Sequence, residues 1–414
     1  MRDRTSRIVS TKLLLYTREE SNLYFLFRRQ ILYPLSYGCS STLPRVNCTI
    51  IPQMQTIDEQ IEAIQVILRK TPHHKGTNGF IGSMRAKIAR LKDKQTESSG
   101  KSGGGGVSFS VKKQGDATVV LIGPPSSGKS TLINRLTNTE SKVAPYAFTT
   151  VTVIPGMLKH KEAYIQILDI PGLIEGAKEG KGRGREVLSV ARGADLLVVM
   201  TDVERINLIP KMLAELEGAG IRINRSKPNV TVERRAEGGL DIASNLRQEI
   251  DEETVKEIAR EYGIKNGIIT LKENISYDRL FDAFSENRVY VPTIFVINKI
   301  DNSSESKRYK LKSSQILNIS AEKGTGVSAL IDEVWTTLKF VTVYLVRPNA
   351  EPDFSDPIVM KLGDTLKSVA KKIGADFAEN KKLVKIWGMG AKFPGQEVSF
   401  ETKVIDGMQI RFIA

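Results

Sequence analysis

The chain has 414 residues, 40% hydrophobic and 26% charged, with a formal net charge of +14. That length divides into two to four compact units, and the composition excludes a fibrous or low-complexity chain. Its two cysteines, Cys39 and Cys48, argue against a disulfide framework and fit a reducing cytosol, while the basic balance fits an anionic partner such as RNA, a ribosome or a membrane surface.

Residues 1–53 differ from the rest. Eight Lys and Arg stand against three Asp and Glu, and the aromatic cluster SNLYFLFRRQILYPLSYG has neither helical nor strand periodicity. An Arg-rich, acid-poor stretch of this kind fits a targeting segment. A disordered leader, or upstream sequence ahead of a true start at Met54, is preferred, because organised patterning begins there. No apolar run reaches the roughly 18 residues that a membrane span needs. The spacing of Ile57, Ile61, Ile64 and Leu68 predicts an amphipathic helix. After the break TPHHKGTNG, a basic helix carries Met84, Ile88 and Leu91 on one stripe, giving a helical hairpin over 54–97. The Gly/Ser tract SSGKSGGGG opens a flexible linker over 98–116.

Short apolar runs then alternate with helical segments: TVVLIG, YIQILD, DLLVVM, TIFVIN and SQILNIS. This alternation predicts an α/β unit over 117–339, a doubly wound, mainly parallel sheet with helices on both faces. The chain between DLLVVM and TIFVIN is far longer than one crossover requires, so about 221–290 is expected to form a small inserted α+β subdomain. Within it RINRSKPNVTVERR is strand-like and basic, and EETVKEIAREYG is helical. Over 340–414, KFVTVYLVRP, TLKSVAKKIG, KLVKIWG and QIRFIA predict a strand, a helix and two further strands of a β-grasp-like domain.

GPPSSGKS fits G-x-x-x-x-G-K-[ST] and lies between a predicted strand and the helical STLINRLTN, the context a phosphate loop requires. Gly123, Pro124, Pro125, Ser126, Ser127, Gly128, Lys129 and Ser130, with Thr131 behind them, would close backbone N–H groups around phosphate oxygens at a helix N-terminus. Lys129 would reach the β- and γ-phosphates, and Ser130 would offer its hydroxyl to Mg²⁺. Asp169 closes YIQILD, where a carboxylate can hold the metal's water shell. After Ile170 and Pro171, Gly172 can present its N–H to the γ-phosphate because no Cβ blocks the approach. D-x-P-G is common in turns, and its place one strand after the phosphate loop is what gives it weight. FTTVT, with Phe148, Thr149 and Thr150, lies between these motifs, where a threonine can ligate Mg²⁺ when the γ-phosphate is present.

NKID, Asn298, Lys299, Ile300 and Asp301, ends a buried strand. The Asp301 carboxylate can accept from guanine N1–H and its 2-amino group, a donor pair that adenine lacks. SAEKG, opening with Ser320 and Ala321, falls where a loop would cover guanine O6. Five motifs in this order identify a guanine-nucleotide site. Leu173 stands where many nucleotide switches carry a Gln that positions the attacking water. Orientation of water must then come from the glycine-rich loop 176–184, a monovalent cation, or a group supplied by a partner.

GPPSSGKS, FTT, DIPGLIEGA, NKID and SA together resemble, over about 54–414, the developmentally regulated GTP-binding proteins of the wider Obg group. The inserted segment resembles that family's S5D2-like subdomain. RPNAEPDFSDPIVMKLGDTLKSVAKKIG and VKIWGMGAKFPGQ resemble a TGS domain, a ubiquitin-like β-grasp module. The implied fold is that of a P-loop GTPase with these two additions and the helical leader. The resemblance also implies that Ser130 and Thr150 ligate Mg²⁺, with Thr149 beside them and Asp169 acting through water. Lys129 and the 123–130 backbone would hold phosphates, and Asn298, Lys299 and Asp301 the base. Lys129, Thr150, Asp169 and Gly172 would carry the hydrolytic step.

The family is implied to turn GTP over slowly to GDP and phosphate, and to associate with ribosomes. Some members respond to potassium; these often carry Asn where Ser126 stands here, so K⁺ stays open. A hydrophobic residue at the place of Leu173 marks the Obg group, and residues 1–53 have no counterpart in it. The expected reading is a cytoplasmic GTPase switch acting on a ribosome or RNA, with a protein partner for the TGS domain also open. Neither a membrane nor DNA is expected as a partner, and the oligomeric state is open. The alternative is an RNA- or ribosome-binding adaptor with a structural nucleotide site, whereas Asp301 disfavours a P-loop ATPase or kinase.

Overall fold

The computed structural model describes residues 56–72, 74–98, 113–137, 154–170, 183–302, 316–348, 350–379 and 381–413. The leader 1–53, most of the Gly/Ser linker, Phe148, Thr149, Thr150, and Pro171, Gly172 and Leu173 with most of the glycine-rich loop lie outside the described residues.

A helical hairpin comes first. Thr56 caps helix α1 (Ile57–Lys70): its hydroxyl accepts from the Glu59 N–H at 3.3 Å, and the Glu59 carboxylate accepts from the Thr56 N–H at 3.4 Å. A cap of this kind contributes about 1 kcal/mol. Ile61 and Ile64 pack with Met84 and Leu91 of α2 (Asn78–Ser98), so the two stripes legible in the spacing bury each other.

The chain then runs through β1 (Ala117–Ile122), α3 (Lys129–Thr137), β2 (Ile154–His160), β3 (Ala163–Asp169), α4 (Arg183–Gly193), β4 (Leu196–Asp202) and α5 (Ile209–Gly218). It leaves the main sheet by β5 (Ile221–Ile223) and forms β6 (Val230–Arg234), β7 (Leu240–Ser244), α6 (Glu252–Glu261), β8 (Gly267–Leu271) and α7 (Tyr277–Phe284). It returns by β9 (Val289–Val291) to β10 (Thr293–Asn298), β11 (Ile316–Asn318) and α8 (Val327–Thr337).

The main sheet has the order β11-β10-β4-β1-β3-β2. All its pairs are parallel except β2 with β3, at one edge. The strands β1, β4 and β10 are buried along their whole length, as a parallel sheet covered on both faces requires. Alternate residues of β1 face opposite layers. Val119 and Leu121 meet Leu132 and Ile133 of α3 and Leu330 of α8, while Val120 and Ile122 meet the layer of Val187, Val190, Met212 and Leu216 from α4 and α5. The fold is the doubly wound, mainly parallel α/β arrangement expected. Its sequential strands depart from β1 in both directions, to β3 and to β4, and ligands of such sheets bind outside the strand C-termini at that switch point.

Between β5 and β9, which pair in parallel, the three strands β6-β8-β7 and helices α6 and α7 form a second core. Val255, Ile258, Leu280 and Phe281 pack there with Ile269 and Leu271, and Ala86 of α2 joins them. The C-terminal stretch is β12 (Phe340–Leu345), β13 (Pro357–Lys361), α9 (Leu366–Ile373), α10 (Ala375–Glu379), β14 (Leu383–Gly388), β15 (Gln396–Val398) and β16 (Met408–Ile413). Its separate five-stranded sheet, β13-β12-β16-β14-β15, buries Leu366, Val369 and Ala370 of α9 against Val343, Ile386 and Ile410. Lys361 of β13 meets Asp195 just before β4, and Lys372 of α9 meets Asp116 just before β1, so the C-terminal stretch is fastened at the N-terminal ends of these strands. Among the described residues no helix is long and apolar enough to cross a membrane.

Candidate functional site

The loop after β1 is built by close approach. A Cβ on Gly123 would stand 2.0 Å from the Met200 carbonyl oxygen of β4, so the chain can leave the sheet here only as glycine. Gly128 has φ +91 and Ser126, which is not a glycine, has φ 59. A left-handed non-glycine residue costs about 1–2 kcal/mol and persists where its surroundings fix it. Buried Lys129 turns its Nζ back across the loop onto the Gly123 and Pro124 carbonyl oxygens, at 3.1 and 3.0 Å.

Ser130, in the first turn of α3, donates its hydroxyl to Asp169 Oδ2 at the end of β3, at 2.8 Å. Asp169 is only 4% exposed, yet its Oδ1 has no hydrogen-bond partner; Ser127 Oγ is likewise buried and unsatisfied. An orphaned buried oxygen costs about 1–3 kcal/mol, which a cation's water shell would relieve. A hydroxyl and a carboxylate side by side are the hard oxygen donors that Mg²⁺ takes when it is bound mainly by phosphate and water. The residues present therefore fit that ion.

Asn298 closes β10. Its Nδ2 donates to the Ser127 carbonyl oxygen at 2.9 Å, and its Oδ1 accepts from the Ala321 N–H at 2.8 Å, so one buried amide ties together the loops after β1, β10 and β11. Lys299, left-handed at φ 60, donates from Nζ to the Ser126 carbonyl oxygen at 2.7 Å. Asp301 lies in the short turn Ile300–Asn302, its Oδ2 3.7 Å from Lys323 Nζ. The Ser320 hydroxyl, the Asp301 backbone N–H and Lys323 hold its carboxyl below the usual range, so at neutral pH it is a charged acceptor. Buried Ser320 also accepts from the Lys323 N–H at 3.1 Å, and the Gly324 N–H closes the turn on the Ser320 carbonyl oxygen at 2.7 Å.

Gly123 to Thr131, Asp169, Ile170, Asn298, Lys299, Asp301, Ser320 and Ala321 thus stand at or just after the C-terminal ends of β1, β3, β10 and β11. Two further residues at this end match no motif. Asp202 closes β4 in register with Asn298 and is 4% exposed. It accepts from Arg205 Nε at 3.2 and 3.1 Å, and Arg205 Nη1 donates to the Pro125 carbonyl oxygen at 2.8 Å. Burial pushes the Asp202 carboxyl up, but Arg205 and then Lys299 outweigh it and hold it below the ordinary value. The available signal was an Asp closing the strand that opens with the apolar run LLVVM.

A doubly wound sheet with a phosphate loop at its switch point, and Asn-Lys-x-Asp at the end of a nearby strand, defines a P-loop GTPase. A family model described as 50S ribosome-binding GTPase matches residues 118–234, and one described as the C-terminal region of MMR_HSR1 domain matches 237–340. An uncharacterized GTP-binding protein of Methanocaldococcus jannaschii is 40% identical over 365 residues, which cover 86% of this chain and 93% of the relative. Developmentally-regulated G-protein 3 of Arabidopsis thaliana is 38% identical over 362 residues, 85% of this chain and 97% of the relative. Developmentally-regulated GTP-binding protein 1 of Xenopus laevis is 38% identical over 344 residues, 82% of this chain and 94% of the relative. The chain belongs to the developmentally regulated GTP-binding protein family of Obg-related GTPases.

Proposed function

We propose that this protein hydrolyses GTP slowly to GDP and phosphate and acts as a ribosome- or RNA-associated switch in translation, in the cytoplasm. The observation that carries the reading is the convergence of Lys129, Ser130 and Asp169 with the loop Asn298 to Asp301 at one end of the sheet. Lys129 exchanges its two carbonyl partners for β- and γ-phosphate oxygens and, with the 123–130 backbone, neutralises charge as water attacks the γ-phosphate in line. Ser130 and Thr150 hold Mg²⁺, with Asp169 acting through water. When bound, the ion supplies Lewis-acid polarisation of the phosphate oxygens. Gly172 offers its N–H to the γ-phosphate, and Asp301 accepts the guanine N1–H and 2-amino donors. Leu173 cannot orient water, so that task falls to the loop 176–184, to K⁺ or another monovalent cation, or to a partner.

In the same reading the unit within 221–290 is an S5D2-like subdomain and 340–414 is a TGS domain that meets a partner. The net charge of +14 and the description of the matched family both favour a ribosome or RNA. The test measures phosphate release by the wild type and Lys129→Ala, with and without ribosomes, in K⁺ and in Na⁺. Slow release that ribosomes accelerate, and that Lys129→Ala lacks, is the expected result. Equal release by both proteins under every condition would leave the adaptor with a structural nucleotide site in its place.

A further inference from the structure

Two consecutive carbonyl oxygens of the phosphate loop are each held by a cation. Arg205 Nη1 donates to Pro125 at 2.8 Å, and Lys299 Nζ donates to Ser126 at 2.7 Å. Both cations share one counter-ion: Asp202 takes the Arg205 guanidinium on both carboxylate oxygens, and its Oδ2 lies 3.8 Å from Lys299 Nζ. Asp202 also caps its own turn by accepting from the Arg205 N–H at 3.1 Å, while Thr201 Oγ1 donates to the Arg205 carbonyl oxygen at 3.1 Å. The arginine is therefore fixed at both its backbone and its guanidinium.

In a trans peptide the C=O and the following N–H point in opposite directions within one rigid plane. Holding the Pro125 oxygen therefore fixes the direction of the Ser126 N–H. Holding the Ser126 oxygen likewise fixes the Ser127 N–H, which lies 3.4 Å from the Pro124 carbonyl oxygen. The left-handed conformations of Ser126 and Lys299 sit at the two ends of one of these bonds, so the clamp also holds backbone that would otherwise relax.

We propose that Asp202 and Arg205 are positioning residues of the nucleotide site: through Lys299 and Arg205 they couple the base loop to the phosphate loop and set how long the nucleotide stays bound. This rests on the guanine-nucleotide reading of the site. Both act through backbone and side chains of the two loops, Arg205 on the Pro125 carbonyl oxygen and Asp202 on Arg205 and Lys299.

The test follows release of a fluorescent GDP from the purified full chain in the wild type, Asp202→Asn, Arg205→Ala and Arg205→Lys, with melting curves for each. Asp202→Asn and Arg205→Ala release GDP about ten-fold faster, the equivalent of one charge-assisted hydrogen bond. Arg205→Lys restores part of the loss, because it keeps the charge but not the fork. Guanine over xanthine preference stays as in the wild type, since Asp301 is untouched. If the wild type itself takes up no GDP, the guanine reading falls. If the wild type binds and folded Arg205→Ala releases within two-fold of it, the positioning role is overturned, whatever the melting temperatures do. Arg205 is partly exposed, so Arg205→Ala decides the matter even where Asp202→Asn does not fold.

Discussion

Gly128 and Asn298 approach so closely that a Cβ on residue 128 would stand 2.2 Å from Asn298 Nδ2. That nitrogen is the one that donates to the Ser127 carbonyl oxygen, so the phosphate loop and the base loop are joined at this point. Gly128→Ala forces the amide away and also strains a backbone held at φ +91. The lost buried hydrogen bond and the strain together cost about 2–4 kcal/mol. Thermal unfolding and a fluorescent-GDP titration should both move; a variant that melts and binds like the wild type would show that the two loops are not coupled through Asn298.

Asp301 is held by Ser320 and Lys323 of the loop after β11, and its ionised carboxylate is a pure acceptor. Asp301→Asn turns one acceptor oxygen into a donor. It should lower guanine-nucleotide affinity roughly a hundred-fold and favour xanthine nucleotides, whose 2-oxo group meets the new donor. Competition binding with GDP and XDP reads the switch directly. An unchanged base preference would remove Asp301 from base recognition.

The fold was legible where periodicity and burial agree. The run TVVLIG is apolar on both faces because β1 is covered on both, and Ile61 and Ile64 mark the stripe that α1 buries. The edge strands β2, β13 and β15 were not anticipated. Pro155 interrupts the first, Pro357 opens the second, and Gln396–Val398 is too short to show a pattern. In the site, Lys129, Ser130, Asn298 and Asp301 announce themselves because they fall in the spaced motifs GPPSSGKS and NKID. Asp202 and Arg205 do not: their partners, Pro125 and Lys299, are distant in sequence and meet only through the register of β4 beside β10.

Asp282 of α7 serves two arginines. It accepts from Arg222 Nε and Nη2, each at 2.7 Å, and from Arg288 Nε at 2.8 Å. Arg288 also donates to Asp93 of α2 at 2.7 Å, so the network ties the helical hairpin to the inserted unit. These side chains are largely buried, and removing one anion leaves charge uncompensated. Asp282→Asn should destabilise the protein by about 3–5 kcal/mol, whereas replacing the whole network with apolar residues of like volume should cost far less. Denaturant unfolding of the two variants compares them; equal losses would mean that packing, not charge pairing, governs this junction.

Asp195 anchors the C-terminal sheet, accepting from Lys361 Nζ at 3.0 Å, Lys113 Nζ at 3.1 Å and the Thr118 N–H at 3.0 Å. Burial pushes its carboxyl up, but the Thr118 N–H and the two lysines outweigh it and leave the folded value below the ordinary 3.8. A carboxyl depressed in the folded state contributes its full stability above the unfolded pKa and loses it as pH falls through the folded one. Asp195→Asn should therefore lower stability by about 1–2 kcal/mol at pH 7, where the wild-type carboxylate is charged and doubly paired. Below the ordinary carboxylate value the wild type loses that advantage and the two proteins converge. Unfolding free energies at pH 7, 5 and 3 follow the gap: shrinkage confined to the acid end supports the ionic latch, and a gap that stays constant to pH 3 would show that the Asp195 contacts act without their charge.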